Sequence, residues 1–292
     1  YPYLEQEVSV ATLIPVRRMC ELTQVSRAGF YRWRQPAPTV GADEMELRDE
    51  VQRIALEYPC YGWRRVTLEL HKHGWTVNHK RVRRILREDN LLCVRKRKFA
   101  VTTDSNHGRQ VYPNLAQPMT LTGIDQLWVA DITYIRLETE FVYLAVILDA
   151  FSLLLIGWEL DRTLADDLPL AALRMALVGR QPSPGLVHHS DRGSQYASVE
   201  YTDLLKEHGC QISMSHKASP WENARCESWM KTLKTEEVYR QEYRDLAEAR
   251  ALITRFIDQV YNQKRMHSAL DYRSPVEFEQ ALAVAGGAEV GV

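Results

Sequence analysis

Leu127-Trp-Val-Ala-Asp-Ile-Thr-Tyr-Ile135, then Phe141-Val-Tyr-Leu-Ala-Val-Ile-Leu148 and Leu153-Leu-Leu-Ile-Gly-Trp158, decide the fold. All three are β-rich apolar stretches of strand length. The second is apolar throughout, which suits an interior strand covered on both faces and not a sheet with one wet face. Outward from these, a helix is expected to start at Thr163 or Asp166 and run through Leu177. Leu186-Val-His188 reads as a short strand, Val199 to His208 as a helix and Gln211-Ile-Ser213 as a last strand. Three successive strands followed by alternating helices and strands describe an α/β fold with a mixed five-stranded sheet covered by helices.

Three acidic residues in this region each sit in a setting that suggests catalysis. Asp131 lies inside the first strand between Val129, Ile132 and Tyr134, where an unpaired carboxylate is costly. Asp191 lies in the polar turn His188-His-Ser-Asp-Arg-Gly-Ser-Gln-Tyr196, and Glu227 in the helical pattern Glu222-Asn-Ala-Arg-Cys-Glu-Ser-Trp-Met-Lys-Thr-Leu-Lys234. Singly, Asp191 reads as a turn former and Glu227 as an exposed helix residue. Jointly they suit a carboxylate cluster for Mg²⁺, which prefers oxygen ligands and commonly takes one or two carboxylates plus substrate phosphates. Two such ions about 3.5–4 Å apart serve both oxygens of an in-line phosphoryl transfer. Clustered carboxylates repel, so metal is expected to bind and stabilise the site. His188 and His189 are candidate ligands or proton carriers, with support of the aspartate's loop the plainer role.

Composition bounds the rest. The 292 residues, 45% hydrophobic and 26% charged, suit a globular chain of one large or two to three smaller domains. No apolar run approaches membrane-spanning length and no signal peptide opens the chain, so a cytoplasmic location is expected and no membrane partner. The five cysteines are scattered with no Cys-x-x-Cys pair, and His71, His73 and His79 are not spaced with one, so no zinc is expected. The net charge of −1 hides an asymmetry: +7 over residues 1–120 and −8 over the remainder. A basic front half suggests a polyanion partner.

That front half reads as two helical units. Ile14 to Leu22 and Arg27 to Arg34, the latter capped by Ser26, form either a helix-turn-helix or a plain helical hairpin. Gln35-Pro-Ala-Pro38 makes a stiff linker. Asp43 to Tyr58 places Met45, Leu47, Val51, Ile54, Ala55 and Leu56 near helical spacing. A helix from Tyr61 to Leu70, stopped by Gly74, and one from His79 to Arg87, capped by Asn78, complete the second unit. Val82, Ile85 and Leu86 would face inward, leaving Lys80, Arg81, Arg83, Arg84 and Arg87 for phosphate. Val94-Arg-Lys-Arg-Lys98 begins a basic linker, able to neutralise phosphates without reading bases. Expected DNA contacts are Arg27, Arg32, Arg64, Lys80, Arg81, Arg84, Arg95, Lys96, Arg97 and Lys98. Leu246 to Tyr261 reads as an amphipathic helix, Ser274-Pro275 opens a short final one, and Ala281 to Val292 reads as loose. The expected division is 1–38, 39–98, a linker 99–121, a catalytic core 122–245 and a helical extension 246–292.

Trp128-x-x-Asp-Ile-Thr-Tyr134, His189-Ser-Asp-x-Gly-x-Gln-Tyr196 and Asn223-Ala-x-x-Glu-x-x-x-x-x-Leu-Lys234 resemble the core of OrfB-type bacterial insertion-sequence transposases, relatives of retroviral integrases. Ser26-Arg-x-x-Phe-Tyr-Arg-Trp33, Tyr61-Gly-x-Arg-Arg65 and the closing Tyr261-Asn262…Arg265-x-His267-x-x-Leu270…Pro275-x-x-Phe278 extend the resemblance over nearly the whole chain. It implies an RNase H-like core with Asp131, Asp191 and Glu227 as catalytic and metal-binding triad, using Mg²⁺ with Mn²⁺ able to substitute. It also implies that Lys234, and more weakly Lys231, contact the element's terminal DNA. The implied activity is strand cleavage at element ends and strand transfer, on DNA with terminal inverted repeats and on target DNA, by a homo-oligomer on paired ends in the bacterial nucleoid. Tyr1 in place of Met and the absence of heptads fit a chain lacking an upstream OrfA-type segment. Glu222 stands where such motifs usually carry Asp, which puts the local loop geometry in question. A hydrolytic nuclease of the same fold and a DNA-binding regulator with a dead core are the rival readings.

Overall fold

The computed structural model describes residues 15–34, 42–91, 109–216 and 219–288, and the chain divides into two compact units, 1–54 and 55–292. In the first, α1 (Val16–Leu22) and α2 (Arg27–Arg34) pack through Met19, Cys20 and Phe30. Ser26 caps α2: its Oγ accepts from the Gly29 amide at 3.0 Å, satisfying a donor that the helix leaves open. α3 (Ala42–Glu57) buries Leu47, Val51 and Ile54. Two apolar residues of that pattern lie off the buried face: Met45 is 60% and Leu56 73% exposed. At 3.6 residues per turn they fall opposite the stripe that those three make.

In the second unit α4 (Trp63–Lys72) and α5 (His79–Glu88) pack on each other, with Val66, Leu70, Val82, Ile85 and Leu86 buried. Gly74, at φ +86°, takes the left-handed turn that ends α4. Asn78 caps α5, its side chain accepting from the Lys80 amide at 2.9 Å.

β1 (Leu127–Arg136), β2 (Phe141–Asp149) and β3 (Leu155–Asp161) form an antiparallel meander. α6 (Asp167–Arg180) carries the chain to β4 (Val187–Ser190), which pairs parallel with β1, and α7 (Val199–Glu207) carries it to β5 (Gln211–Met214), parallel to β4. The order β3-β2-β1-β4-β5 is that of an RNase H-like sheet. β2 is interior, as its apolar run requires, because both faces are covered. Trp128, Ala130, Ala145 and Ile147 face Leu173, Tyr201 and Leu205 of α6 and α7. Leu127, Val129, Leu144 and Val146 face Trp229 and Leu233 of α8 (Ala224–Glu236) and Ile253 of α9 (Leu246–Arg255).

Three boundaries differ from expectation. β3 starts at Leu155, because Leu153 adopts a left-handed turn (φ +60°), with its amide on the Asp149 carbonyl at 2.9 Å. α9 ends at Arg255 and the chain continues as a π-helical turn over Phe256–Tyr261. The final helix, α10 (Pro275–Ala288), takes in residues 281–288 of the stretch expected to be loose; residues 289–292 lie outside the described residues. It opens on a capping box, in which Ser274 Oγ accepts from the Glu277 amide and Glu277 from the Ser274 amide. Glu279 anchors it further, accepting from Ser152 Oγ and Arg180 at 2.6 Å each. Among the described residues no helix is long and apolar enough to cross a membrane.

α6 lies so close to β3 that only glycine fits at 157. A Cβ there would stand 2.3 Å from the Ala172 carbonyl oxygen and 2.9 Å from the Ala176 Cβ. Gly157→Ala is expected to destabilise the core by about 1–3 kcal/mol or more, as forced overpacking does. An unchanged urea midpoint would refute that close approach.

Candidate active site

Alternation along β1 puts Leu127, Val129 and Asp131 on one face, the face that α8 covers. Parallel pairing of β4 with β1 runs from Leu127↔Val187 to Val129↔His189, so Asp191, just past β4, follows the register toward Asp131. Glu227 sits in the first turn of α8. Sheet and helix thus bring together three carboxylates that are remote in sequence. The Asp131 carboxyl registers both others: burial first, then the charge of Asp191 and, more weakly, Glu227 push it up to about 7, against the Ile132 amide and Lys234. Asp131 Oδ1 accepts from the Ile132 amide and Asp191 Oδ1 from the Gly193 amide, both at 2.9 Å.

Lys234 is half-buried with its Nζ 4.8 Å from the centre of the Tyr134 ring; burial lowers its pKa while Asp131 opposes that shift. Lys231 is exposed on the same helix.

Supporting contacts fix the frame. Asn223 Nδ2 donates to the Ala130 carbonyl at 2.9 Å, tying the start of α8 to β1 beside Asp131. Glu222 accepts from the His216 amide at 2.7 Å and from Asn114 Nδ2 at 2.8 Å. The longer side chain at that position therefore bridges two loops. Arg109 donates to the Ser194 carbonyl at 2.7 Å and pairs with Asp166 at 3.0 Å, holding the turn after Asp191. The residue-level reading missed Asn223 and Arg109. Asn223 lies inside a quoted motif, whereas nothing local marks Arg109.

The two histidines support the loop. His188 Nε2 meets the Tyr201 hydroxyl at 3.0 Å, and His189 places its ring nitrogens 2.8 Å from Ser213 Oγ and 3.0 Å from Ser215 Oγ. Burial drives their pKa values down to about 3 and about 4, so both are neutral and hydrogen-bonded beneath Asp191.

Among the cations expected at DNA, Arg27, Arg64, Lys80 and Arg81 are exposed. Arg64 lies 4.5 Å from the centre of the Trp63 ring, and Arg84 pairs with Glu88 at 3.4 Å. Arg32 is described only as backbone of α2, and Arg95, Lys96, Arg97 and Lys98 lie outside the described residues.

Among the described residues no group of three or more His, Cys, Asp or Glu side chains stands arranged to hold a metal ion. The donor chemistry nonetheless fits a hard divalent cation of the kind that keeps waters and substrate oxygens in its shell. The carboxylates raise the cost of charging Asp131, and the buried Tyr196 hydroxyl, which feels Asp131 and Asp191, has no hydrogen-bond partner among the described residues.

An RNase H-like sheet with acidic groups on β1, in the turn after β4 and on α8 is the architecture of an integrase-type polynucleotidyl transferase. The integrase core domain family matches residues 122–220, a second integrase core domain family 208–275, and an HTH-like domain family 42–99. The uncharacterized 31 kDa protein of insertion element IS600 from Shigella sonnei is 38% identical over 266 residues, 90% of this chain and 97% of that one. Transposase InsF for insertion sequence IS3A of Escherichia coli K12 is 33% identical over 270 residues, 90% of this chain and 93% of that one. The HTLV-2 integrase catalytic core domain in complex with magnesium is similar at 16% identity and a TM-score of 0.42, over 53% of this chain and 95% of that one. The chain belongs to the IS3 family of insertion-sequence transposases, enzymes of the DDE class.

Proposed function

We propose that Asp131, Asp191 and Glu227 are the catalytic carboxylates and hold Mg²⁺, or Mn²⁺ in its place, for strand cleavage and strand transfer at insertion-sequence ends. The observation that carries this reading is the Asp131 carboxyl, pushed to about 7 by burial and by the other two acids. When bound, the metal supplies charge neutralisation at the reacting phosphate and activation of the attacking oxygen. The protein's own residues do the rest. Asn223 sets the catalytic helix against β1. Lys234, and secondarily Lys231, contacts the terminal DNA backbone. Arg27, Arg32, Arg64, Lys80, Arg81, Arg84 and the stretch Arg95 to Lys98 neutralise phosphate along inverted-repeat ends, mostly without reading bases. The division into two helical units, linker, core and C-terminal extension belongs to this reading. So do a homo-oligomer on paired ends, an upstream OrfA-type partner segment and action at the bacterial nucleoid.

Oligonucleotides bearing the element's terminal repeats, incubated with Mg²⁺ or Mn²⁺ and with wild-type or Glu227→Gln protein, test it. Joined products that need metal, the end sequence and Glu227 are expected. Joining that survives Glu227→Gln would defeat the assignment, and nicking with no joining would favour a hydrolytic nuclease.

A further inference from the structure

The turn before α8, Pro220–Asn223, leaves Trp221 69% exposed, with no ring or cation partner among the described residues. Beside it opens a cavity of about 280 Å³, lined by Leu127 and Val129 of β1 and by Asn114, Gln117, Met119 and Arg225. Leu127 and Val129 lie on the same face of β1 as Asp131, and Ala224, which also lines the cavity, is one turn before Glu227 on the same side of α8, so the cavity opens on the side of the fold that carries both acids. Its wall is preset. Asn114 Oδ1 accepts from the Ala116 and Gln117 amides at 3.0 and 3.1 Å, and Ser213 Oγ accepts from the Leu115 amide at 2.8 Å. The Gln117 side-chain carboxamide and the Arg225 guanidinium are exposed and make no side-chain hydrogen bond or ion pair among the described residues.

An uncommitted indole, an apolar floor, one free carboxamide and one cation, with the Glu222 carboxylate on the same wall already held by His216 and Asn114, match a single nucleobase with its phosphate. Every base offers a π-face for stacking on an aromatic side chain, and a base inside a duplex has both faces covered. We infer that Trp221 and this cavity hold one unpaired base of the DNA strand being cleaved or joined, with its ring on the indole, its edge at Gln117 and its flanking phosphate at Arg225. This rests on the reading of Asp131 and Glu227 as the reaction centre. The site then favours an element end whose strands have opened next to the reacting bond.

The test uses terminal-repeat duplexes carrying 5-iododeoxyuridine at each position flanking the cleaved bond, irradiated with Glu227→Gln protein, with the crosslinked peptide mapped by mass spectrometry. Joining rates of Trp221→Ala and Trp221→Phe are measured in parallel. A crosslink at Trp221 is expected from one position only. Trp221→Ala should slow joining by roughly 5- to 150-fold, the range that losing one base stack produces, while Trp221→Phe keeps most of the rate. Both variants should melt with wild type, since the side chain is exposed. Crosslinks that map elsewhere, with Trp221→Ala joining at the wild-type rate, would overturn the base site. Glu227→Gln protein that still joins ends would instead overturn the reaction centre on which the site depends.

Discussion

Asp131→Asn protein is expected to bind terminal-repeat DNA as wild type does, to lose strand transfer by on the order of a thousandfold or more, and to be the more stable of the two at pH 8 without metal. The first part follows from geometry, because Asp131 faces the other two acids from inside the sheet while the exposed cations proposed to meet DNA are carried by other elements. Metal assistance is worth several kcal/mol at the transition state, and each ~1.4 kcal/mol is tenfold in rate. The stability gain follows from the titration. Folded Asp131 holds its proton up to about 7, against 3.8 ordinarily. Its contribution to stability is therefore fully present below 3.8 and lost as pH rises through about 7. At ~1.36 kcal/mol per pKa unit the loss approaches about 4 kcal/mol, all of it electrostatic strain that a divalent cation or a neutral amide relieves. Thermal melts at pH 5 and pH 8, with and without Mg²⁺, check this. Wild type should drop at pH 8 and recover with Mg²⁺, and the variant should do neither. Identical melts for the two proteins at pH 8 would remove the charge coupling.

The sequence made the sheet legible because its signals were local. Continuous apolar runs such as Phe141 to Leu148 have no stable place except an interior strand, and Ser26 and Asn78 announced helix starts that the structure shows as hydrogen-bonded caps. It failed where the deciding partner was remote. Leu153 reads as strand, yet the turn made with Asp149 puts it in a left-handed conformation that no leucine advertises. The tail from Ala281 reads as loose by composition, but Ser152 and Arg180 anchor α10 from over 90 residues away. At the candidate site the three acids were visible as residue types in three settings. Their mutual approach was legible only as an expectation that depends on which strands are neighbours, a condition that β4 meets by joining β1 in parallel register. His188 and His189, expected in their plainer role to support the aspartate's loop, do so through partners distant in sequence: Tyr201 meets His188 Nε2, and Ser213 and Ser215 meet the two ring nitrogens of His189.

The C-terminal signature, which the sequence offered only as a resemblance, acquires a physical role through Arg265. Its guanidinium is buried and grips Glu236 with two bonds, Nε to Oε2 at 2.9 Å and Nη2 to Oε1 at 2.8 Å. Glu236 is the last residue of α8, the helix that carries Glu227. The next residue, Met266, donates its amide to the Tyr61 hydroxyl at 3.1 Å, so the same segment also holds the entry to α4. Removing one member of such a buried pair strands the other's charge, at about 3–5 kcal/mol. Arg265→Ala should therefore lower the unfolding free energy by that amount. Arg265→Met combined with Glu236→Met should recover most of it, because well-packed apolar replacements of a buried pair are often neutral. His267 adds an acid limit to this cluster, since burial and the charges of Arg265 and Arg65 hold its pKa down to about 3 from 6.5. The unfolded chain binds that proton first, so the stability His267 contributes is present above 6.5 and drains as pH falls toward about 3. Urea unfolding of wild type, Arg265→Ala and the double variant at pH 7.5, and of wild type beside His267→Gln down to pH 4, separates these effects. An Arg265→Ala protein within about 1 kcal/mol of wild type, the range of an exposed pair, would mean that the clamp does not hold the catalytic helix.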